Sequence, residues 1–271
     1  MHTFTVPAVL SIAGSDSSGG AGIQADIKTI AAHGLFAETA ITALTAQNTT
    51  GVRDVLEATP EFVGEQIDAV FEDIPPAAVK IGMVSSAAII ETIAQRLERW
   101  GAVDIVVDPV MVATSGARLI NGDATAALTR DLLPLARVIT PNMPEASALT
   151  GRAISDAAGQ EAAARELSVR FGCAVLVKGG HGVADANDVL AEPAGAAQPR
   201  ITWFRHERIE TGNTHGTGCT LSSAIACGLA QGLELAAAVE QAKAYLTGAL
   251  AAGLDLGRGS GPVDHMWRHR G

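Results

Sequence analysis

The chain has 271 residues, 48% of them hydrophobic and 18% charged, enough to enclose one large α/β domain or two small ones. Lys and Arg number 19 against 29 Asp and Glu, a net charge of −10, which argues against nucleic acid or an anionic membrane as the main partner because both call for a basic surface. Three cysteines, Cys173, Cys219 and Cys227, have neither metal-ligand spacing nor a C-x-x-C pair, and point to a reducing cytosol.

The opening residues carry no signal-peptide pattern. Residues 8–13 read as a buried strand, 23–32 as a helix, and 39–46 as a strand rich in Thr and Ala. After Pro60, which suits a first helical turn, Val63, Ile67, Val70, Phe71 and Ile74 recur at helical spacing. Residues 79–83 form the next strand. Ile89, Ile90, Ile93, Leu97 and Trp100 mark an amphipathic helix, and strand 105–108 ends on Asp108. A helix around 124–133, a strand at 137–140, helices near 145–149 and at 157–171, and a strand at 174–178 continue the alternation. A β-like patch covers 188–192 and 200–204. The linker-like stretch 193–199 is too short to divide the chain. Two Ala-rich helices follow, 219–232 and 235–253. Residues 211–233 carry no Lys, Arg, Asp or Glu, yet are too polar at their start to span a bilayer. The tail from Leu256 contains Gly257, Gly259 and Gly261, then a basic-aromatic end, and reads as a docking or frayed terminus. This alternation predicts an α/β fold, a doubly wound, mostly parallel sheet in a single domain spanning 1–271, with chemistry at the carboxyl ends of the strands.

The polar and glycine residues gather at those ends. Gly14-Ser15-Asp16-Ser17-Ser18-Gly19-Gly20-Ala21-Gly22 leads into a helix bearing Asp26, which one turn in could accept a hydrogen bond from a substrate hydroxyl or lie on the helix surface. Its G-x-G-x-x-A match at residues 20–25 does not open directly off the strand, as a dinucleotide fingerprint would, and it lacks the Lys-Ser/Thr of a phosphate-binding P-loop. A substrate-enclosing loop and a flexible turn are both compatible. The Gln47 carboxamide suits an aminopyrimidine edge, or a turn that bonds its own backbone. Asp108, and Glu145 after Asn142, sit where carboxylates hold Mg²⁺ through water; a turn cap and a first-turn glutamate are the structural alternatives. Lys178, before Gly179 and Gly180, suits a nucleotide phosphate or a solvent-facing turn. In Asn213-Thr214-His215-Gly216-Thr217-Gly218-Cys219-Thr220, glycines at a helix start gather free N–H groups for an anion. Cys219 in that first turn is expected to have its thiol pKa lowered and to serve as a base, the alternative being a buried small hydrophobe.

Taken together, these stretches, with Ile41-Thr42-Ala43-Leu44-Thr45-Ala46-Gln47-Asn48-Thr49, Lys80-Ile81-Gly82-Met83, Thr140-Pro141-Asn142 and Gly261-Pro262-Val263, resemble the hydroxymethylpyrimidine/phosphomethylpyrimidine kinases of thiamine biosynthesis. The resemblance spans nearly the whole chain. It implies a ribokinase-like three-layer fold and phosphoryl transfer from ATP, with Mg²⁺, to a small pyrimidine and then to its monophosphate. By position it implies that Gln47 reads the pyrimidine, with Gly14, Asp26, Met83 and the backbone near Val110 lining its pocket. Asp108, Asn142 and Glu145 would organise Mg²⁺ and the ATP phosphates, helped by Lys178 and Thr214. Gly216, Thr217 and Gly218 would form the anion hole, with Cys219 as base. A cytoplasmic homodimer is expected. Pyridoxal kinases that share this cysteine are the alternative reading, and a ligand-binding sensor or a dehydrogenase built on residues 20–25 are readings from other classes.

Overall fold

The computed structural model describes residues 5–111, 122–180, 186–195 and 197–270. In chain order the elements are β1 (Ala8–Asp16), α1 (Gly22–Ala32), β2 (Phe36–Asn48), β3 (Gly51–Glu57), α2 (Pro60–Asp73), β4 (Ala78–Ile81), α3 (Ala87–Trp100), β5 (Ile105–Val107) and α4 (Gly122–Ala127). There follow β6 (Val138–Ile139), α5 (Met143–Thr150), α6 (Ala157–Phe171), β7 (Ala174–Val177), β8 (Asp188–Ala194), β9 (Ala197–Phe204), α7 (Thr217–Ala230) and α8 (Leu235–Ala251). The helix boundaries follow local chemistry. Thr59 accepts from Phe62 N–H with Pro60 in the first turn, Ser86 caps α3, and Asp156 caps α6.

The nine strands among the described residues form one sheet, in the order β3-β2-β1-β4-β5-β6-β7-β8-β9. The six strands from β2 to β7 in that order run parallel; β3 and β8 run opposite to them, and β9, antiparallel to β8, runs with them again. The parallel strands are short and apolar because helices cover both faces. One core packs α2, α3, α4, α5 and α6 against the sheet, and the other packs α1, α7 and α8 against the opposite face. The three-layer α/β architecture expected from the sequence is therefore present. From β1 the chain moves through α1 to β2 on one side, whereas β4 to β7 extend the other way with their helices on the opposite face. The winding reverses between β1 and β4, which opens a crevice at their carboxyl ends.

Three details differ from the sequence expectation, and the tail takes the docked form of the two expected. Strand β3 was not foreseen; six of its seven residues face solvent, so it carries no apolar alternation. The helix expected at 124–133 is α4 followed by a π-helical turn, Leu128–Leu132, and a short 3-10 turn at Leu133–Leu135 that contains Pro134. Of the linker-like stretch 193–199, Pro193 and Ala194 belong to β8 and residues 197–199 to β9, while residue 196 lies outside the described residues. The tail is docked: Trp267 Nε1 donates to the Tyr245 carbonyl at 3.1 Å, and Tyr245 donates to the His265 carbonyl at 2.6 Å.

Candidate active site

Two glycine-rich loops meet over the crevice, residues 14–22 entering α1 and residues 212–216 entering α7. Gly216 has φ of +81°, and a Cβ there would lie 1.9 Å from the Gly20 carbonyl oxygen, so only glycine allows this backbone contact. Asp16 holds the junction. Its carboxylate accepts from the N–H groups of Ser18 (2.8 Å) and Ala21 (2.9 Å) and lies 2.7 Å from His215 Nε2. Burial alone would raise the Asp16 carboxyl, but the bonds from His215, Ser18 and Ala21 outweigh it and bring it to about 2.

Gly216 brings no capping side chain to α7, and the Thr220 N–H makes the first turn's 2.8 Å bond to the Gly216 carbonyl. Thr217 N–H reaches the Thr214 carbonyl only at 3.5 Å. The first-turn donors of Thr217 and Gly218 are thus suited to an anion. Directly against Gly218 lie Asp108, one residue past β5, and Lys178, one residue past β7. A Cβ on Gly218 would sit 2.9 Å from Asp108 Oδ2 and 3.5 Å from Lys178 Nζ. Lys178 donates to Asp108 Oδ1 at 2.7 Å and Thr140 Oγ1 donates to the same oxygen at 3.1 Å. Burial alone would lower the Lys178 ammonium pKa, but the Asp108 and Glu145 charges outweigh it and raise the value.

Asn142 and Glu145 form a reciprocal capping box at the start of α5, each backbone N–H donating to the other's side chain at 2.8 Å. Burial, with the Asp108 charge, outweighs the pull of Lys178 and the N–H groups of Asn142 and Met111, and pushes the Glu145 carboxyl up to about 7. Among the described residues no group of three or more His, Cys, Asp or Glu could hold a metal. Mg²⁺ keeps several waters and takes only one or two carboxylates alongside substrate phosphates, so two mutually repelling carboxylates beside a phosphate cradle fit it.

At the other end, Gln47 closes β2 beside His215. Its Nε2 lies 3.4 Å from His215 Nε2 and its Oε1 accepts from Thr45 Oγ1 at 3.3 Å, so the side chain does not fold back on its own backbone. The Gln47 main chain is held by Ser17 Oγ, which accepts from its N–H and donates to its carbonyl. Gly14 packs against Met83, whose terminal methyl would be 2.6 Å from a Cβ at position 14. Val110 follows Asp108 in a tight turn, its N–H bonded to the Asp108 carbonyl at 2.8 Å. Thr214 lies at the rim, its hydroxyl 2.9 Å from Ser260 Oγ. His181 lies outside the described residues.

Two expectations change. Asp26 is wholly buried beneath the crevice, with Lys80 Nζ at 2.8 and 3.0 Å, Ser11 Oγ at 2.6 Å and Ser223 Oγ at 2.8 Å. Both carboxylate oxygens are engaged, so Asp26 shapes the floor and offers a substrate hydroxyl no open oxygen. Cys219, half-buried, was expected to have its thiol pKa lowered by the helix start. Burial instead pushes it up to about 11, reinforced by the charges of Asp26 and Asp108; Lys80 and the Gly22 N–H pull it back only in part. The free thiol is neutral at pH 7.

Sequence reasoning gave no role to Asp16, His215 or Lys80. Lys80 was legible: a lysine inside the four-residue buried strand β4 requires a buried partner. Nothing local marks His215 as the mate of Asp16, 199 positions away.

Residues 16–264 match the family model described as phosphomethylpyrimidine kinase. The hydroxymethylpyrimidine/phosphomethylpyrimidine kinase of Rhizobium meliloti is 52% identical over 270 residues, covering 96% of this chain and 97% of that one. The crystal structure of a phosphomethylpyrimidine kinase from Clostridium difficile superposes with a TM-score of 0.77 at 45% identity, over 89% of this chain and 98% of that one. The ADP complex of Bacillus subtilis pyridoxal kinase gives a TM-score of 0.89 at 33% identity, over 98% of this chain and 100% of that one. The ribokinase-like fold is borne out by these neighbours. With the family match running from Asp16, at the loop junction, to Asp264, in the docked tail, the chain belongs to the phosphomethylpyrimidine kinase family.

Proposed function

We propose that this chain is a single kinase domain, 1–271, that transfers the γ-phosphoryl group of ATP to the hydroxymethyl oxygen of 4-amino-5-hydroxymethyl-2-methylpyrimidine. It then phosphorylates the monophosphate to the diphosphate, for thiamine biosynthesis. The observation that carries this reading is the start of α7, where N–H donors stand against the Lys178–Asp108 pair at one end of a crevice whose other end is Gln47. Phosphoryl transfer needs alignment and charge neutralisation more than covalent chemistry.

In this reading the backbone N–H groups of Gly216, Thr217 and Gly218 hold the transferring oxygens. Lys178 offsets phosphate charge, and Asn142 and Thr214 flank the phosphates. Asp108 and Glu145 would hold Mg²⁺, which supplies charge neutralisation on the phosphate oxygens. The Gln47 carboxamide, oriented by Thr45 and His215, reads the ring nitrogen and amine of the pyrimidine, between Gly14, Met83 and the Val110 backbone. Asp26 fixes α1, β4 and α7 under that pocket through Lys80 and Ser223. Cys219 takes the hydroxymethyl proton through its minor thiolate population, which burial disfavours and Lys80 and the Gly22 N–H only partly restore. The second transfer, to a phosphate oxygen, depends on positioning more than on a base.

A homodimer and a cytoplasmic location belong to the same proposal. Exposed Leu44 and Leu56, paired across the β2–β3 hairpin on one face, offer the dimer a surface, and free cysteines suit the location. No helix among the described residues is long and apolar enough to cross a membrane. The test is a mass-resolved product assay with ATP and Mg²⁺ on the hydroxymethylpyrimidine and on pyridoxine. Mono- and diphosphorylated pyrimidine are expected, and a clear preference for pyridoxine overturns the substrate assignment.

A further inference from the structure

The C-terminal segment runs across both ends of the crevice. Beyond α8 the Leu254 carbonyl accepts from the Asn213 amide at 2.6 Å. The chain then meets the β2–β3 turn two residues past Gln47, where the N–H groups of Arg258 and Gly259 each donate to Thr49 Oγ1 at 3.2 Å. A Cβ on Gly259 would lie 2.0 Å from the Thr49 carbonyl oxygen, so only glycine permits this approach. Next, Ser260 Oγ lies 2.9 Å from Thr214 Oγ1. Gly261 donates to the Gly212 carbonyl at 3.2 Å and accepts from the His215 N–H at 3.1 Å, with Pro262 bridging alongside His215. The buried His265 then places Nε2 3.0 Å from Thr220 Oγ1, next to Cys219. Residues 257–259 are solvent-exposed, so polar contacts and not apolar burial hold them across the turn.

Resting on the kinase reading above, we propose that this strap couples the pyrimidine end of the crevice to the phosphate cradle, with Thr49 Oγ1 and the Gly259 backbone as positioning groups. A pyrimidine that orders Gln47 also orders the turn at Thr49. Through residues 258–262 that order passes to His215 and Gly216. The nucleotide then loses less conformational freedom on binding, and the effect is reciprocal.

Calorimetric titration tests this on the full chain. The hydroxymethylpyrimidine is titrated alone and in the presence of saturating non-hydrolysable ATP analogue with Mg²⁺, using wild type, Thr49→Val, Thr49→Ser and Gly259→Ala. Thr49→Val keeps the shape and removes the shared acceptor; Thr49→Ser restores it. Wild type and Thr49→Ser should bind the pyrimidine about 5-fold or more tighter with the analogue present, the lower range of ordinary coupling. In Thr49→Val and Gly259→Ala that ratio should fall toward 1 with unchanged melting temperature. Equal ratios in all four proteins, or a ratio that falls only together with the melting temperature, overturn the coupling. A wild-type chain that binds no pyrimidine refutes the functional reading itself, which separates the two failures.

Discussion

Lys80→Met tests the floor of the site. Lys80 Nζ sits 2.8 Å from Asp26, both side chains are fully inaccessible, and that carboxylate also accepts from the hydroxyls of Ser11 and Ser223. Burial alone would lower the Lys80 ammonium, but the Asp26 carboxylate overcomes it and raises the value. A folded pKa above the unfolded one means that the stabilisation is complete below the ordinary lysine value of ~10.4, hence at pH 7, and fades only as pH rises through the folded value. Removing one partner of such a pair costs about 3–5 kcal/mol, because a buried charge is left uncompensated. Unfolding entropy of ~2.1 cal/mol/K per residue makes 1 kcal/mol worth roughly 2 °C in a chain of this size, so calorimetry should show a fall of about 5–10 °C. Asp26→Asn with Lys80→Met removes both charges and keeps an acceptor for the serines, and should recover most of that loss. Alkylation of Cys219, followed by mass detection across pH, supplies the functional half. Its midpoint should move up in Lys80→Met, where the thiolate loses a nearby cation, and down in Asp26→Asn. A double variant that loses the sum of the singles, with an unmoved alkylation profile, refutes both the coupling and its reach to the sulfur.

Three further outcomes follow from the site. With the thiol at about 11, the thiolate fraction rises ~10-fold per pH unit below that value, so kcat/KM for the first phosphorylation should climb between pH 7 and pH 9 while the second stays nearly flat. Cys219→Ala should fold normally, lose ~10²-fold in the first step and flatten its profile; near-normal turnover would remove the sulfur from the mechanism. Gln47→Ala gives up two hydrogen bonds at about 1 kcal/mol each, so the pyrimidine KM should rise about 10- to 30-fold with the ATP KM unchanged, and an effect on ATP would relocate the residue.

The strand and helix order was legible because the central strands are short apolar runs and the helices carry their own caps, such as Ser86 and Asp156. Strand β3 was not, since it buries almost nothing and is held by backbone pairing to β2. The glycine clusters at residues 14–22 and 212–218 marked the cleft, and the structure sets them backbone to backbone. Partners far apart in sequence stayed hidden: Asp16 with His215, Asp26 with Lys80, Thr49 with Gly259. The shift of Cys219 was also hidden. A helix start favours a thiolate by a local rule, whereas burial near Asp26 and Asp108 is a product of the tertiary fold.

The division of the crevice also explains why overall shape cannot choose the substrate. In the proposed reading the phosphate machinery stands at β5, β7 and the start of α7, where Asp108, Lys178 and Gly218 come together. Any hydroxymethyl-bearing ring brought to that proposed cradle would meet the same chemistry. On the same proposal selectivity falls to the other side of the winding reversal, where Gly14, Gln47 and Met83 lie near the ends of β1, β2 and β4. A carboxamide presents an acceptor and donors side by side, the pattern an aminopyrimidine edge satisfies and a pyridine phenol matches less fully. A site built to hydrogen-bond one ring leaves its own polar groups unpaired against another, so substitutions near Gln47 should exchange vitamins while those at Lys178 should weaken both alike.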